Sequence, residues 1–272
     1  SETYTWYAGI HEPQPDGDVK AVPAEFGATN LIPSDPIEHA GAGLLGSLVI
    51  EPEGATWSTD AGTRAQATVT EADGHTYREF VLMKQNSVSL RRGTGDGEIV
   101  PRLAESEDPE DSGHHAFNYA TEPMWKRMGY EPDTPLTQTR DFDFADVLTN
   151  AEVGGDPVTP IFTAEAGRDV RVRVLQAGGK QRNGAVEFFG PAFQLLPWVA
   201  GSTEIGDNPL SEWKGVREGL GPRNHFNSVI AEGRGGPASG EFGIAGDYLY
   251  RDLQSFHFDG GLWGIFRVLP AD

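Results

Sequence analysis

Glycine and proline recur every few residues along this chain, and their placement decides what it can fold into. The 35 Gly and 19 Pro are about a fifth of the 272 residues. They cut the apolar sequence into short runs rich in β-branched and aromatic residues, which is the pattern of an all-β protein. The runs predicted as strands lie at 4–9, 46–52, 77–86, 116–121, 158–165, 169–176, 185–190, 225–232, 246–253 and 261–270. Within them Arg171, Val172, Arg173 and Val174 alternate polar with apolar, the pattern of a half-buried strand. Strong helical periodicity is missing, and 141–149 is ambiguous between helix and strand.

Composition narrows the function. Hydrophobic residues make up 38% of the chain, enough for a packed core. The formal charge of −20 repels polyanions, so neither nucleic acid nor an anionic lipid surface is an expected partner. The acidic tract at 104–113 reads as a solvated loop. There is no cysteine. That excludes disulfides, thiolate zinc, iron–sulfur ligation and a Cys nucleophile, and it prevents this chain from completing a blue-copper centre alone. No stretch reaches about 18 apolar residues, so no membrane span is expected. The sequence beginning at Ser1 has no basic n-region or apolar h-region, so any signal peptide is expected to have been removed or to belong to a longer precursor.

The chain also echoes itself. Residues 39–52 (HAGAGLLGSLVIEP) and 257–270 (HFDGGLWGIFRVLP) share a His, a short spacer, Gly-Leu-x-Gly and an apolar run ending in Pro. Such a repeat predicts two copies of one domain ending. The expected organisation is therefore the C-terminal part of one β domain at 1–57, a linker at 58–74 and a complete second domain at 75–272. A few strands of a sandwich leave an open edge and cannot bury both faces.

The segments 43–57 and 261–269 resemble the closing strand of cupredoxin domains in multicopper oxidases. The order of 117–127, 201–213, 221–227 and 246–252 is similar to the C-terminal region of large multicopper-oxidase-like proteins. The resemblance implies a cupredoxin-like Greek-key β-sandwich, one complete domain plus the C-terminal part of a preceding one. It also implies copper, and electron transfer to dioxygen somewhere in an assembly. In that family the matching strands carry His-x-His pairs. Here the places hold Ala8 and Gly9, Arg251 and Asp252, and Phe188 to Pro191, residues that bind copper poorly.

Seven histidines remain: His11, His39, His75, His114, His115, His225 and His257. His39 and His257 hold equivalent places in the echo, and His225 lies in a turn before a strand. These three are the candidate metal ligands; each can equally be a hydrogen-bonded histidine that fixes a loop. Adjacent His114 and His115 would point apart on a strand and offer at most a surface site. Glu122 and Asp252 are candidate acid–base groups, with packing as the plainer role. Tyr248, Tyr250 and Trp263 could carry redox chemistry, and Arg251 beside Asp252 could order a strand end.

Three readings follow. In the first, the chain is a subunit or C-terminal fragment of a copper oxidoreductase. A second polypeptide then supplies the missing strands and most copper ligands, outside the cell or in the periplasm. In the second, it is a self-contained copper oxidase built on His39, His225 and His257. In the third, it is a non-catalytic β-sandwich.

Overall fold

Alternating apolar residues on facing strands build the core. The computed structural model describes residues 1–272 except 36–37, 94, 107–110, 136–137, 139–146, 150, 179–182, 207, 231–243 and 272. Most of the ambiguous stretch 141–149 therefore lies outside the described residues.

Two sheets pack face to face. The larger contains β5 (Thr56–Thr59), β6 (Gln66–Thr70), β7 (Thr76–Gln85), β10 (Val170–Gly178), β12 (Phe193–Gln194), β13 (Trp213–Lys214) and β15 (His225–Ile230). Their order is β13-β12-β15-β10-β7-β6-β5, with β8 (Ala116–Phe117) on the end of β7. The second sheet has the order β14-β11-β16-β17-β9. Its strands are β9 (Ile161–Glu165), β11 (Gly184–Phe188), β14 (Val216–Leu220), β16 (Gly246–Asp252) and β17 (Trp263–Leu269). The chain crosses repeatedly between sheets, which makes β7 and β10 parallel neighbours in one and β9 and β17 parallel neighbours in the other. This is the expected all-β Greek-key sandwich.

Phe80 and Leu82 of β7 and Val170, Val172 and Val174 of β10 meet Phe162, Val186, Phe188, Tyr250, Phe266 and Val268 of the second sheet. Phe80 stacks on Phe162 with ring centroids 4.8 Å apart. Each such side chain contributes about 1.5–3 kcal/mol by leaving water. Phe188, at one place where the family's histidine pair would stand, is thus a core residue. The stretch 58–74, expected to be a linker, contains the end of β5 and all of β6, which pairs along β7.

A third layer comes from the N-terminal part. β1 (Gly9–Pro13) pairs only with β2 (Val19–Pro23), and β3 (Gly27–Leu31) only with β4 (Gly46–Ile50), among the described residues. The hairpin β3–β4 covers the outer face of the large sheet. That face carries the odd residues of β10, so Arg171 and Arg173 are buried rather than half-exposed as the alternation predicts. Arg173 donates to Glu79 at 2.7 Å and to Glu25 at 2.6 Å. Arg171 donates to Glu25 at 2.8 Å and Glu71 at 3.0 Å, and its guanidinium lies 3.7 Å from the Tyr77 ring centroid. The Tyr77 hydroxyl donates to Glu51 at 2.6 Å. Glu25 and Glu51 flank the hairpin, so this network fastens it to the sheet.

Glu51 makes that fastening sensitive to pH. Burial, and then the hydrogen bond and negative charge of Glu79, push its carboxyl up to about 7, against the pull of Arg173 and Tyr77. The folded chain therefore favours neutral Glu51. The stability this contributes is complete below the ordinary value of 4.5 and is lost as pH rises through about 7. The loss expected from this group is on the order of 3 kcal/mol. Denaturant unfolding at pH 5 and pH 8 checks it: Glu51→Gln should flatten the decline, and an equal decline in both proteins would refute the assignment.

Candidate functional site

Ionisable side chains converge inside one end of the sandwich. Lys84 shares its face of β7 with Phe80 and Leu82, because strand side chains alternate with period two. Asp252 likewise follows Tyr250 on the inner face of β16. The two meet between the sheets, with Lys84 Nζ 2.5 Å from Asp252 Oδ2 and both side chains fully buried. Gly184 opens β11 beside them; a Cβ there would collide with Lys84 Nζ and Asp252 Oδ2.

His257 enters from the short helix Ser255–Asp259 between β16 and β17. Its Nδ1 lies 3.0 Å from Asp252 Oδ1. His115 enters from the segment leading into β8, held by a hydrogen bond from its amide to the Gly260 carbonyl at 2.8 Å. The His115 and His257 rings meet edge to face, with centroids 4.5 Å apart. Both rings are fully buried. Both ring nitrogens of His115 and Nε2 of His257 have no hydrogen-bond partner among the described residues.

The electrostatics follow from burial. Burial drives His115 well below the ordinary imidazole range, and the nearby His257 and Lys84 drive it further, so the ring is neutral. Burial also lowers Lys84, with the Asp252 carboxylate offsetting part of the effect. Burial alone would raise Asp252, but the His257 hydrogen bond and the Lys84 charge outweigh it and hold the carboxyl at about 2. Asp252 therefore stays ionised and accepts from both neighbours.

A carboxylate that holds one imidazole nitrogen leaves the other as a lone-pair donor, an arrangement that orients metal-binding histidines. The rest of the site does not fit copper. Two imidazoles converge, and no Cys thiolate is present to complete a blue-copper centre. The nearest carboxylate is already engaged by an ammonium, which has no lone pair to give while protonated and repels a second cation. Among the described residues, no group of three or more His, Asp or Glu is placed to hold a metal ion.

The three candidate ligands are not brought together. His39 is exposed on α1 (Glu38–Gly41), His225 is exposed at the start of β15, and His257 is fully buried. His115, Lys84 and Asp252 are the residues that do meet His257. The pair His114–His115 is not a surface feature, since both are fully buried. Their rings do point apart: His114 Nε2 lies 2.9 Å from the Pro101 carbonyl, and its ring meets Trp125. The acidic tract also ends inside, with Asp111 buried against Ser87 and the Gly113 amide.

The other candidates have structural partners. Glu122 accepts from Arg127 and from the Val158 amide, both at 2.7 Å. Tyr250 donates to the Pro160 carbonyl at 2.5 Å, and Trp263 to the Glu122 carbonyl at 2.7 Å. Arg251 pairs with Glu187 rather than Asp252, at 3.1 Å.

No family model matches this chain, and no curated protein matches it. Similar solved structures exist. A copper nitrite reductase from Nitrosomonas europaea is 15% identical with a TM-score of 0.45, over 97% of this chain and 72% of that one. A multicopper oxidase is 12% identical with a TM-score of 0.45, over 96% and 68%. A blue copper oxidase from Nitrosomonas europaea is 15% identical with a TM-score of 0.48, over 93% and 60%.

Proposed function

We propose that this chain is a cupredoxin-type scaffold component of a multicopper-oxidase-like copper oxidoreductase. In this reading it shapes the wall of the substrate cleft, and a partner polypeptide carries most of the copper ligands. Its setting is extracellular or periplasmic. The copper part of the reading rests on the ordered sequence motifs that resemble multicopper oxidases. The observation that carries the scaffold part is Lys84. Its ammonium sits on Asp252 beside the converging pair His115 and His257. A buried cation supplied by the chain itself takes the place that a metal would need.

Copper per chain, measured by elemental analysis alongside a denaturing gel, tests this. The expected result is copper only in preparations that contain a second band. Copper near one per chain with a single 29.4 kDa band would overturn the proposal in favour of a self-contained site. No copper and no second band would leave a sandwich without redox function.

A further inference from the structure

The Lys84–Asp252 contact joins opposite sheets. Lys84 stands on β7 of the large sheet, and Asp252 ends β16 of the second, 168 residues later. Lys84 Nζ lies 2.5 Å from Asp252 Oδ2, and neither side chain is exposed. Leu82 and Tyr250, two residues back on the same inner faces, are fully buried core residues. The backbone of Gly184 closes on the pair from β11, where a Cβ would strike both Lys84 Nζ and Asp252 Oδ2. An amine and a carboxyl group are therefore held in contact in a place from which water is excluded.

In water an ammonium and a carboxylate stay apart as hydrated ions. Burial removes that hydration and disfavours the charged forms. It lowers Lys84, while Asp252 is held at about 2, against its own burial, by His257 and Lys84. The resting pair is thus ionic, and a condensation must begin with a proton passing from Nζ to Oδ2 across their contact. Contact itself replaces a bimolecular encounter; well-oriented pairs reach effective molarities of about 10⁵–10⁸ M. His257 supplies a third element. Its Nδ1 lies 3.0 Å from Asp252 Oδ1, and its buried Nε2 has no partner among the described residues. The tautomer with its proton on Nδ1 uses that N–H and leaves only a lone pair unmatched, so Nδ1–H donates to Oδ1.

We propose that Lys84 and Asp252 condense into an isopeptide bond that ties β7 to β16. With the first proton on Oδ2, the Nζ lone pair attacks Cγ, and the charge that builds on Oδ1 is met by the His257 Nδ1–H. A second Nζ proton then moves to Oδ2, the Cγ–Oδ2 bond breaks, and Oδ2 leaves as water. The last proton of the ammonium stays on the amide nitrogen, so no oxidant, reductant or other reactant is consumed. The chain has no cysteine, and this cross-tie needs no oxidising surroundings. It spans 168 residues, and in the chain-entropy picture a cross-link gains more as its loop lengthens. The step goes beyond the copper reading and does not depend on it. As ammonium or as amide, the Lys84 side chain fills the same place beside His115 and His257.

Intact mass of the denatured full chain tests this, together with peptide mapping after trypsin. The expected mass is one water below that of the sequence. Peptides 79–91 and 252–267 should appear as one branched species, uncut after Lys84. Lys84→Met should show the full mass of its own sequence. In folded His257→Phe, the joined fraction followed after cell-free synthesis should grow about 10²-fold more slowly, as for loss of one oxyanion donor. Wild-type chain still at full mass after days in the folded state would overturn the proposal. So would a missing water with the two peptides separate, which would mark dehydration at an Asp-Gly step such as Asp73-Gly74. Equal rates in His257→Phe and wild type would overturn the role given to His257. Copper is measured on the same sample, so either idea can fail alone. Mass also sorts bonded from ionic chains, and the stability of the Lys84–Asp252 ion pair is read on the ionic form.

Discussion

Lys84→Met is expected to lower the unfolding free energy by roughly 3–5 kcal/mol. The length and stem of the side chain survive, so the loss is one of charge rather than of volume. Asp252 then loses the charge that offsets its burial and keeps His257 as its remaining side-chain partner, and an uncompensated buried carboxylate is what makes a broken interior pair costly. A native domain has only about 5–15 kcal/mol in hand, so the variant should show a large fall in denaturant midpoint. The double variant Lys84→Met, Asp252→Asn should recover part of the loss, because it removes both charges. Urea unfolding of the wild type, both single variants and the double variant gives the coupling directly. A loss below about 1 kcal/mol for Lys84→Met would mean the ion pair does not hold the sheets together as described.

The same experiment bears on function. If the ammonium stands where a cation would otherwise be bound, its removal leaves two imidazoles and a carboxylate without the lysine's charge. Gly184 belongs to this argument, since a Cβ there would displace Lys84 and Asp252 together.

Much of the fold was legible because the apolar alternation is strong where the sandwich is deepest. The segments at 46–52, 77–86, 169–176 and 261–270 match β4, β7, β10 and β17 within a few residues. The polar strands were not legible. GIHEP and VKAVP carry too few apolar residues to set a period, and QATVT alternates over only two small apolar residues, Ala67 and Val69, so β6 was read as linker. Arg171 and Arg173 looked solvent-facing because alternation reports only that two faces differ. It cannot report that the polar face is covered by acids from residues 25 and 51, far away in the chain. Lys84 left a usable signal: it is in phase with Phe80 and Leu82, so period two puts it in the core. His115 left none, since an adjacent histidine pair does not say which ring turns inward. The echo singled out His257 as a candidate, but its neighbours come from β7, β16 and the segment before β8, which only the crossings between sheets bring together.

Arg173→Met should release the N-terminal hairpin. The guanidinium is fully buried and joins Glu79 of β7 to Glu25, with Glu51 at 3.5 Å. Without it, Glu25, Glu51 and Glu79 face one another with Arg171 as the remaining guanidinium of the network among the described residues, and like charges in a dry site are expensive. The sandwich core on the other face of β10 consists of Val170, Val172 and Val174, which the substitution does not touch. The effect should therefore be local in place but large in size, about 3–5 kcal/mol if the chain unfolds as one unit. Amide hydrogen exchange separates the two cases. Faster exchange confined to Gly27–Leu31 and Gly46–Ile50, with β7, β10 and β17 still protected, is the expected result. It should be more pronounced at high pH, where Glu51 ionises, and partly relieved at pH 5, where neutral Glu51 can donate to Glu79; losing the Arg173 charge moves that ionisation upward from the wild type. Uniform deprotection of both sheets would show instead that the hairpin and the sandwich are one cooperative structure. Unchanged exchange would show that contacts such as Asn227 with Ala28, not the buried charges, hold the hairpin in place.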